Sequence, residues 1–257
     1  MLILLVGLKR RLVRRNIYLI GSRELAAYFT SPVAYVFIVI FLALAGGLTF
    51  FFGNWLERGQ ADLQVFFVYH PYLYLFLIPA VGMRLWAEER KSGTMEFLMT
   101  LPISTGQAVI GKFIAAWIFA GIALVLTFPI WVSVNYLGNP DNGIIITAYV
   151  GSWLMAGGFL ALSSSVSALT KNQVVAFVLA AVLCFVFLMS GVEIVQAFFR
   201  AWAPPKFVDA IAELSFLTNF GDLSQGVIDI RDILFFASVI AVALFINTAI
   251  VEIKKSA

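Results

Sequence analysis

Six runs of mostly apolar residues, each long enough to cross a lipid bilayer as a helix, limit the folds that this chain can adopt. A transmembrane helix needs about 20 such residues. With 62% hydrophobic residues and a mean hydropathy of +0.98, the chain is predicted to be an all-α polytopic membrane protein with six transmembrane helices. The predicted spans are Ser31 to Phe52, Val65 to Met83, Phe113 to Tyr136, Thr147 to Ala168, Val174 to Val192 and Ile233 to Val251.

These spans and their short connections use the whole chain, so we expect a single transmembrane domain over residues 1–257. Short loops rich in Lys and Arg stay in the cytoplasm. With both termini cytoplasmic, only four of the 17 basic residues fall on the opposite face: Arg58, Arg200, Lys206 and Arg231. The net charge of +3 therefore reflects orientation and gives no reason to expect a nucleic-acid partner.

The first thirty residues have the wrong order for a cleaved signal peptide, because apolar residues precede Lys9, Arg10 and Arg11. Apolar residues recur at near-helical spacing after this cluster, which predicts a helix over residues 1–30 in the cytoplasmic interface. The chain then turns into the membrane at Ser31 and Pro32. A basic anchor with no other role is an equally good interpretation.

Motifs for catalysis or metal binding are sparse. The only cysteine, Cys184, excludes a disulfide framework, and the single histidine makes a metal site improbable. Gly106, Gly111 and Lys112 have the spacing of a phosphate-binding P-loop, but Phe113 replaces the Ser or Thr and no buried strand precedes the motif. We therefore do not expect nucleotide binding here.

A polar island, Met83 to Pro102, separates the second span from the third. Its charges cannot lie in lipid, so the segment must be solvated or paired with another protein. We expect a short amphipathic helical element over residues 84–101, interrupted at Ser92, Gly93 and Thr94. An ordinary solvated loop is the alternative, although the flanking Trp86 favours a packed element.

Between the fifth and sixth spans, residues 193–232 predict two short, non-spanning helices, Val195 to Ala203 and Phe207 to Leu217. Pro204 and Pro205 separate them. Glu193, at the outer end of the fifth span, could be an outer gate residue or a charge that reaches the headgroups, and we favour the latter.

Polar residues within the spans are few, which argues against a proton-coupled carrier. The glycines and serines from Gly157 to Ser167 predict close helix packing. His70 is expected to satisfy backbone groups freed by Pro71. The scarcity of central charge favours a bulky, amphipathic or lipid-linked cargo.

Four segments, RELAAYFTSPVAYVF, RLWAEERKSGTMEFLMTLPIS, GKFIAAW and ALTKNQVVAF, together resemble ABC-2 type transporter permeases. The resemblance is closest to the branch that includes the bacterial gliding-motility permease, and it covers nearly the whole chain. It implies a non-enzymatic permease subunit of an ATP-driven exporter in the bacterial inner membrane. A separate ABC ATPase subunit would bind ATP and Mg²⁺, and this chain would bind no cofactor.

The resemblance also assigns roles to residues and partners. The polar island would be a coupling helix in a groove of the ATPase, and the amino-terminal helix would be a second contact. A second permease half, identical or paralogous, would complete the pathway, and an accessory periplasmic protein is possible. The implied ATPase contacts are Glu88, Glu89, Arg90, Lys91, Ser92, Gly93, Thr94 and Glu96 in the island, and Arg23 and Glu24 in the amino-terminal helix.

Two other classes of membrane protein remain as alternatives. A secondary transporter or channel would work without an ATPase, but a carrier should show inverted repeats, and no convincing repeat is present. A membrane-embedded enzyme would need a constellation such as HExxH.

Overall fold

A computed structural model describes residues 2–95, 103–200 and 203–255, with side chains placed for residues 13–95, 103–200 and 203–254. These ranges contain helices and no strands, as the composition predicts. A π-helical turn, Leu48–Phe52, extends the second helix. The helices are α1 (Leu2–Thr30), α2 (Pro32–Gly47), α3 (Gln64–Val68), α4 (His70–Gly82), α5 (Arg84–Ser92), α6 (Thr105–Val125), α7 (Phe128–Leu137), α8 (Asn142–Ser167), α9 (Gln173–Met189), α10 (Glu193–Arg200), α11 (Pro205–Glu213), α12 (Phe216–Ser224) and α13 (Ile230–Lys255).

Four helical segments of the described chain are individually long and apolar enough to span a membrane: Pro32–Phe52, Thr105–Leu137, Asn142–Ser167 and Ile230–Lys254. They correspond to the first, third, fourth and sixth predicted spans. The fifth predicted span is α9, which makes a fifth candidate when it is counted together with α10 across a 77° bend.

The second predicted span, Val65 to Met83, falls on α3 and α4, which are separated at Tyr69. Pro71 lacks the N–H that would bond to the preceding turn, and this accounts for the break. Neither helix alone is long enough to cross a bilayer. Four to five candidate spans are therefore observed where six were predicted.

Helix α8 lies at the centre of the fold, where it packs against α4, α6, α9, α12 and α13. The glycines of α8 allow this close packing. A Cβ on Gly157 would lie 2.7 Å from the Trp117 ring nitrogen, and a Cβ on Gly158 would lie 3.0 Å from the Phe216 ring. Small residues that let helices approach closely are typical of membrane helix packing. The predicted packing role of the Gly157 to Ser167 run is confirmed.

The serines of α8 form hydrogen bonds to several surrounding helices. Ser152 Oγ lies 2.9 Å from His70 Nδ1. Asn247 Nδ2 on α13 donates to Ser164 Oγ at 2.7 Å, and Ser165 Oγ donates to the Ala243 carbonyl at 2.7 Å. The predicted role of His70 as a partner for free backbone groups is thus wrong, since its ring bonds to a side chain.

The described residues of the segment after α9 (193–200 and 203–229) contain three short helices, α10 to α12, where two were predicted. The second predicted helix, Phe207 to Leu217, is divided because Ser215 caps a new helix by accepting a hydrogen bond from the Thr218 N–H. This break allows Phe216 to bury its ring against Phe159 and Phe236. Such tilted and edge-to-face ring pairs contribute about 0.5 to 1.5 kcal/mol each, which favours the break.

At the other end of the chain, α1 covers the predicted amino-terminal helix almost completely. It ends where Ser31 takes up an extended conformation and caps α2, with Pro32 in the first turn. The helix break therefore falls at the predicted position, Ser31 and Pro32. Helix α1 packs mainly against α6.

Candidate functional site

Helix α5, the first part of the polar island, is fixed to the end of α8. Ser167 Oγ accepts hydrogen bonds from the N–H groups of Trp86 at 3.2 Å and Ala87 at 3.0 Å, and it donates to the Met83 carbonyl at 2.7 Å. These N–H groups belong to the first turn of α5, whose own N-cap residue makes no side-chain bond. Ser167 therefore caps α5 from a different helix.

The other end of α5 has a second anchor and a sharp stop. Arg90 Nη1 donates to the Ala168 carbonyl at 2.9 Å. Gly93 then ends the helix in the left-handed region, at φ +74°, which glycine adopts without strain. Of the interruption predicted at Ser92, Gly93 and Thr94, the structure shows a break at Gly93, with Ser92 as the last residue of α5.

Lys112 is the centre of a cluster of charged residues. Its side chain is buried, with only 2% of its surface exposed. Its Nζ lies 3.1 Å from Glu24 Oε2 on α1 and 2.5 Å from Glu89 Oε1 on α5. It also lies 5.7 Å from the centre of the Trp86 ring. We call Glu24, Lys112 and Glu89 the charge triad, and it joins α1, α5 and α6.

Close packing of α1 on α6 brings the triad together. A Cβ added to Gly111 would lie 2.9 Å from Ile20 Cγ2 and 3.3 Å from the Ile17 carbonyl oxygen. Gly106, Gly111 and Lys112 all lie within α6, so the P-loop spacing is part of a helix and not of a phosphate-binding loop. The sequence-based rejection of nucleotide binding agrees with this geometry.

Sequence reasoning missed Lys112, which was considered only as part of the false P-loop. The signal that could have identified it is a lone lysine at the start of an apolar span, close to the island of carboxylates. An unpaired buried charge is costly, so such a lysine needs acidic partners.

The triad changes the pKa of Glu24. Burial alone would raise that pKa, but Lys112 and then Arg23 favour the charged carboxylate more strongly, so the pKa of Glu24 lies below its usual 4.5. Arg23 Nη2 donates to Glu24 Oε1 at 3.0 Å.

A carboxyl whose pKa is lowered by folding contributes stability above its unfolded pKa and loses it as the pH falls through the folded pKa. We therefore expect the melting temperature of the wild-type chain to exceed that of Glu24→Gln at neutral pH. The difference should shrink as the pH falls below 4.5. Thermal unfolding of both purified chains across this range measures it, and a difference that grows on acidification would contradict the assignment.

The predicted ATPase contacts divide into two groups. Glu24, Glu89 and Arg90 are partly buried and bonded within the chain. The other described members are more exposed: Arg23 (side chain 61% exposed), Glu88 (47% exposed and 2.8 Å from Arg84), Lys91, Ser92, Gly93 and Thr94. Glu96 lies outside the described residues.

A cavity of about 230 Å³ opens between α1, α5 and α6. Glu24 and Tyr28 line it from α1, Arg84 and Glu88 from α5, and Lys112 from α6. The site is therefore a cleft between three helices that carries charged side chains from each of them.

Glu193 begins α10 and its side chain is 87% exposed, 3.7 Å from Arg200. This position is typical of a surface charge. A gate role for Glu193 stays a prediction.

The fold and site define a multi-pass helical membrane protein with a charged helical element fixed between its spans. The sequence model for the ABC-2 family transporter proteins matches residues 22–254. This chain belongs to the ABC-2 transporter family. No curated protein matches the chain.

Proposed function

We propose that this chain is the permease subunit of an ATP-driven exporter and forms half of its translocation pathway. Six spans, with α3 and α4 together as the second, would place both termini in the cytoplasm. The observation that carries the proposal is the two-sided character of α5. Its inner side is bonded to α8 and to Lys112, whereas its outer edge carries exposed charges.

The exposed edge suits an ATPase contact for electrostatic reasons. Charges at Arg23, Glu88 and Lys91 cannot lie in the hydrocarbon region, so they face water or a protein. The turn at Ser92, Gly93 and Thr94 continues this surface. We infer that these residues contact a separate ABC ATPase, which binds the ATP and Mg²⁺.

The inner side of α5 suits transmission of movement. A ligand shifts a conformational equilibrium only through its different affinity for the two states. An ATPase that holds α5 differently with and without nucleotide would therefore move whatever is rigidly joined to α5. The bonds from Ser167 and Arg90 join it to the fourth span, and Lys112 joins it to the third.

The finer parts of the proposal rest on the family resemblance. These parts are the gliding-motility branch, location in a bacterial inner membrane, export, a second permease half and an accessory periplasmic protein. The apolar composition of the spans favours an amphipathic or lipid-linked cargo. A role for Glu193 as an outer gate belongs to the same set.

Charge reversal at Lys91 tests the proposal. Lys91 is exposed, and Lys91→Glu should weaken ATPase association by about tenfold to a hundredfold, or about 1.4 to 2.8 kcal/mol, without unfolding the chain. Co-purification in mild detergent, with mass identification of partners and an ATP hydrolysis assay, measures this.

Lys206→Glu is the matched control, because Lys206 is exposed and lies on the predicted outer face. It should leave ATPase association unchanged. If no ATPase co-purifies with the wild-type chain, the permease proposal fails and a secondary carrier becomes the better hypothesis.

A further inference from the structure

We propose that Lys112 is a positioning residue that makes α1 and α5 one rigid docking unit and joins that unit to the third span. This inference rests on the proposed function only in naming the ATPase as the partner that uses the unit. The joining of the helices is a property of this chain alone.

The packing of the helices makes Lys112 necessary for this link. Helix α1 packs mainly on α6, whereas α5 packs on α8, α9 and α4. The direct charge link between the two cytoplasmic helices runs through Lys112 Nζ, which pairs with Glu24 and Glu89. Without Lys112, the same geometry would hold two partly buried carboxylates close together, and they would repel each other.

The chemistry of lysine fits the position. An ammonium group is a compact cation with three donors, so it can serve two carboxylates that approach from different helices. The Trp86 side chain is fully buried, and its ring centre lies 5.7 Å from Lys112 Nζ. Lys112 itself is only 2% exposed, so its two ion pairs are screened less than pairs between exposed side chains are.

Glu89 depends strongly on this lysine. Its Oε1 pairs with Lys112, whereas its Oε2 is buried and has no hydrogen-bond partner in the part of the chain that the structure describes. Loss of Lys112 would leave a buried carboxylate without compensation. Helix α5 would then have an electrostatic reason to move away from α6.

The functional consequence concerns how two contact surfaces act together. Arg23 on α1 and Lys91 on α5 both face outward. Two binding surfaces held at a fixed separation gain affinity for one partner, because binding at the second becomes intramolecular. We expect that loss of the link would lower ATPase affinity even though the exposed residues Arg23, Glu88 and Lys91 were unchanged.

The experiment compares three chains: wild type, Lys112→Met, and the neutral triple variant Glu24→Gln, Glu89→Gln and Lys112→Met. Lys112→Met leaves buried carboxylates without their cation, so failure of this variant to fold would not by itself test the link. The triple variant removes the charge together with the link, and neutral replacement of a buried ion cluster is often tolerated. Thermal unfolding in detergent verifies that it folds.

Spin labels measure the link without any ATPase. Ala26→Cys on α1 and Ser92→Cys on α5 are exposed positions, and the native Cys184 is buried and should not label. We expect a single narrow distance distribution in the wild type and a distribution at least twice as broad in the triple variant. Lys171→Met, at an exposed lysine between α8 and α9, is the control and should keep the narrow distribution.

ATPase affinity is the second measurement, and we expect it to fall about tenfold or more in a triple variant that melts like the wild type. If Lys112 only stabilised the fold, ATPase affinity would not fall in a variant whose melting temperature equals that of the wild type. A folded triple variant with an unchanged distance distribution would overturn the inference, and so would a broadened distribution with unchanged affinity. Failure of the wild-type chain to bind any ATPase would instead refute the proposed function, and the distance measurement would still decide whether Lys112 links the helices.

Discussion

Replacement of Ser167 with alanine is expected to lower the free energy of unfolding by about 2 to 4 kcal/mol, a large effect for the loss of one oxygen atom. The Ser167 hydroxyl donates one hydrogen bond and accepts two, all to the backbone at the start of α5. Alanine would leave a carbonyl and two N–H groups without this partner in a buried position. Each buried unpaired polar group costs about 1 to 3 kcal/mol. The expected loss is smaller than the sum for three such groups, because the surrounding structure can relax and give some of them other partners.

Thermal unfolding of the purified chain measures the loss, which should lower the melting temperature by roughly 5 to 10 °C. Ser238→Ala is the matched control, since the Ser238 hydroxyl is exposed and bonds only to the Phe235 carbonyl of its own helix. It should change the melting temperature by less than about 2 °C. Equal effects of the two substitutions would show that Ser167 does not cap α5.

Alanine at Gly82 is expected to destabilise the chain by about 1 to 3 kcal/mol. A Cβ at this position would lie 2.4 Å from the Cβ of Ser163, so α4 and α8 would have to separate. Both atoms are close to the backbone, and rotation of a side chain cannot relieve the clash. Thermal unfolding and the yield of monodisperse protein measure this effect.

Gly46 supplies the matched control for Gly82. It lies in α2, and a Cβ there would meet no heavy atom within 4 Å. Alanine has a higher helix propensity than glycine by about 1 kcal/mol, so Gly46→Ala should be neutral or slightly stabilising. If both substitutions stabilise the chain, the close approach of α4 and α8 is not a feature of the folded protein.

The sequence predicts the long apolar spans well, because length and hydropathy are local properties. The first, third, fourth and sixth predicted spans each match a long helix. The division of the second span into α3 and α4 could not be predicted. A proline near the end of a membrane helix can be tolerated when neighbouring groups satisfy the backbone. The division of the outer segment at Ser215 likewise depends on a distant pocket for Phe216.

The candidate site was only half predictable. Its charged residues and the break at Gly93 follow from the sequence, since charges cannot enter lipid and glycine ends helices. Which carboxylates turn inward could not be predicted, because Glu88 and Glu89 are adjacent and differ only in the partners that other helices provide. Lys112 and Ser167 are separated from α5 by more than 15 residues in the sequence, so no local pattern connects them with it.

The serines of α8 have a mechanical consequence. Ser152, Ser164, Ser165 and Ser167 hold hydrogen bonds to three neighbouring parts of the bundle, so rotation of α8 about its own axis would break several of them at once. We therefore expect α8 to move together with α5 and with the helices that its serines bond, as one body. A displacement of α5 would then be accommodated by helices that pack less on α8, such as α2, most of whose surface lies outside the core.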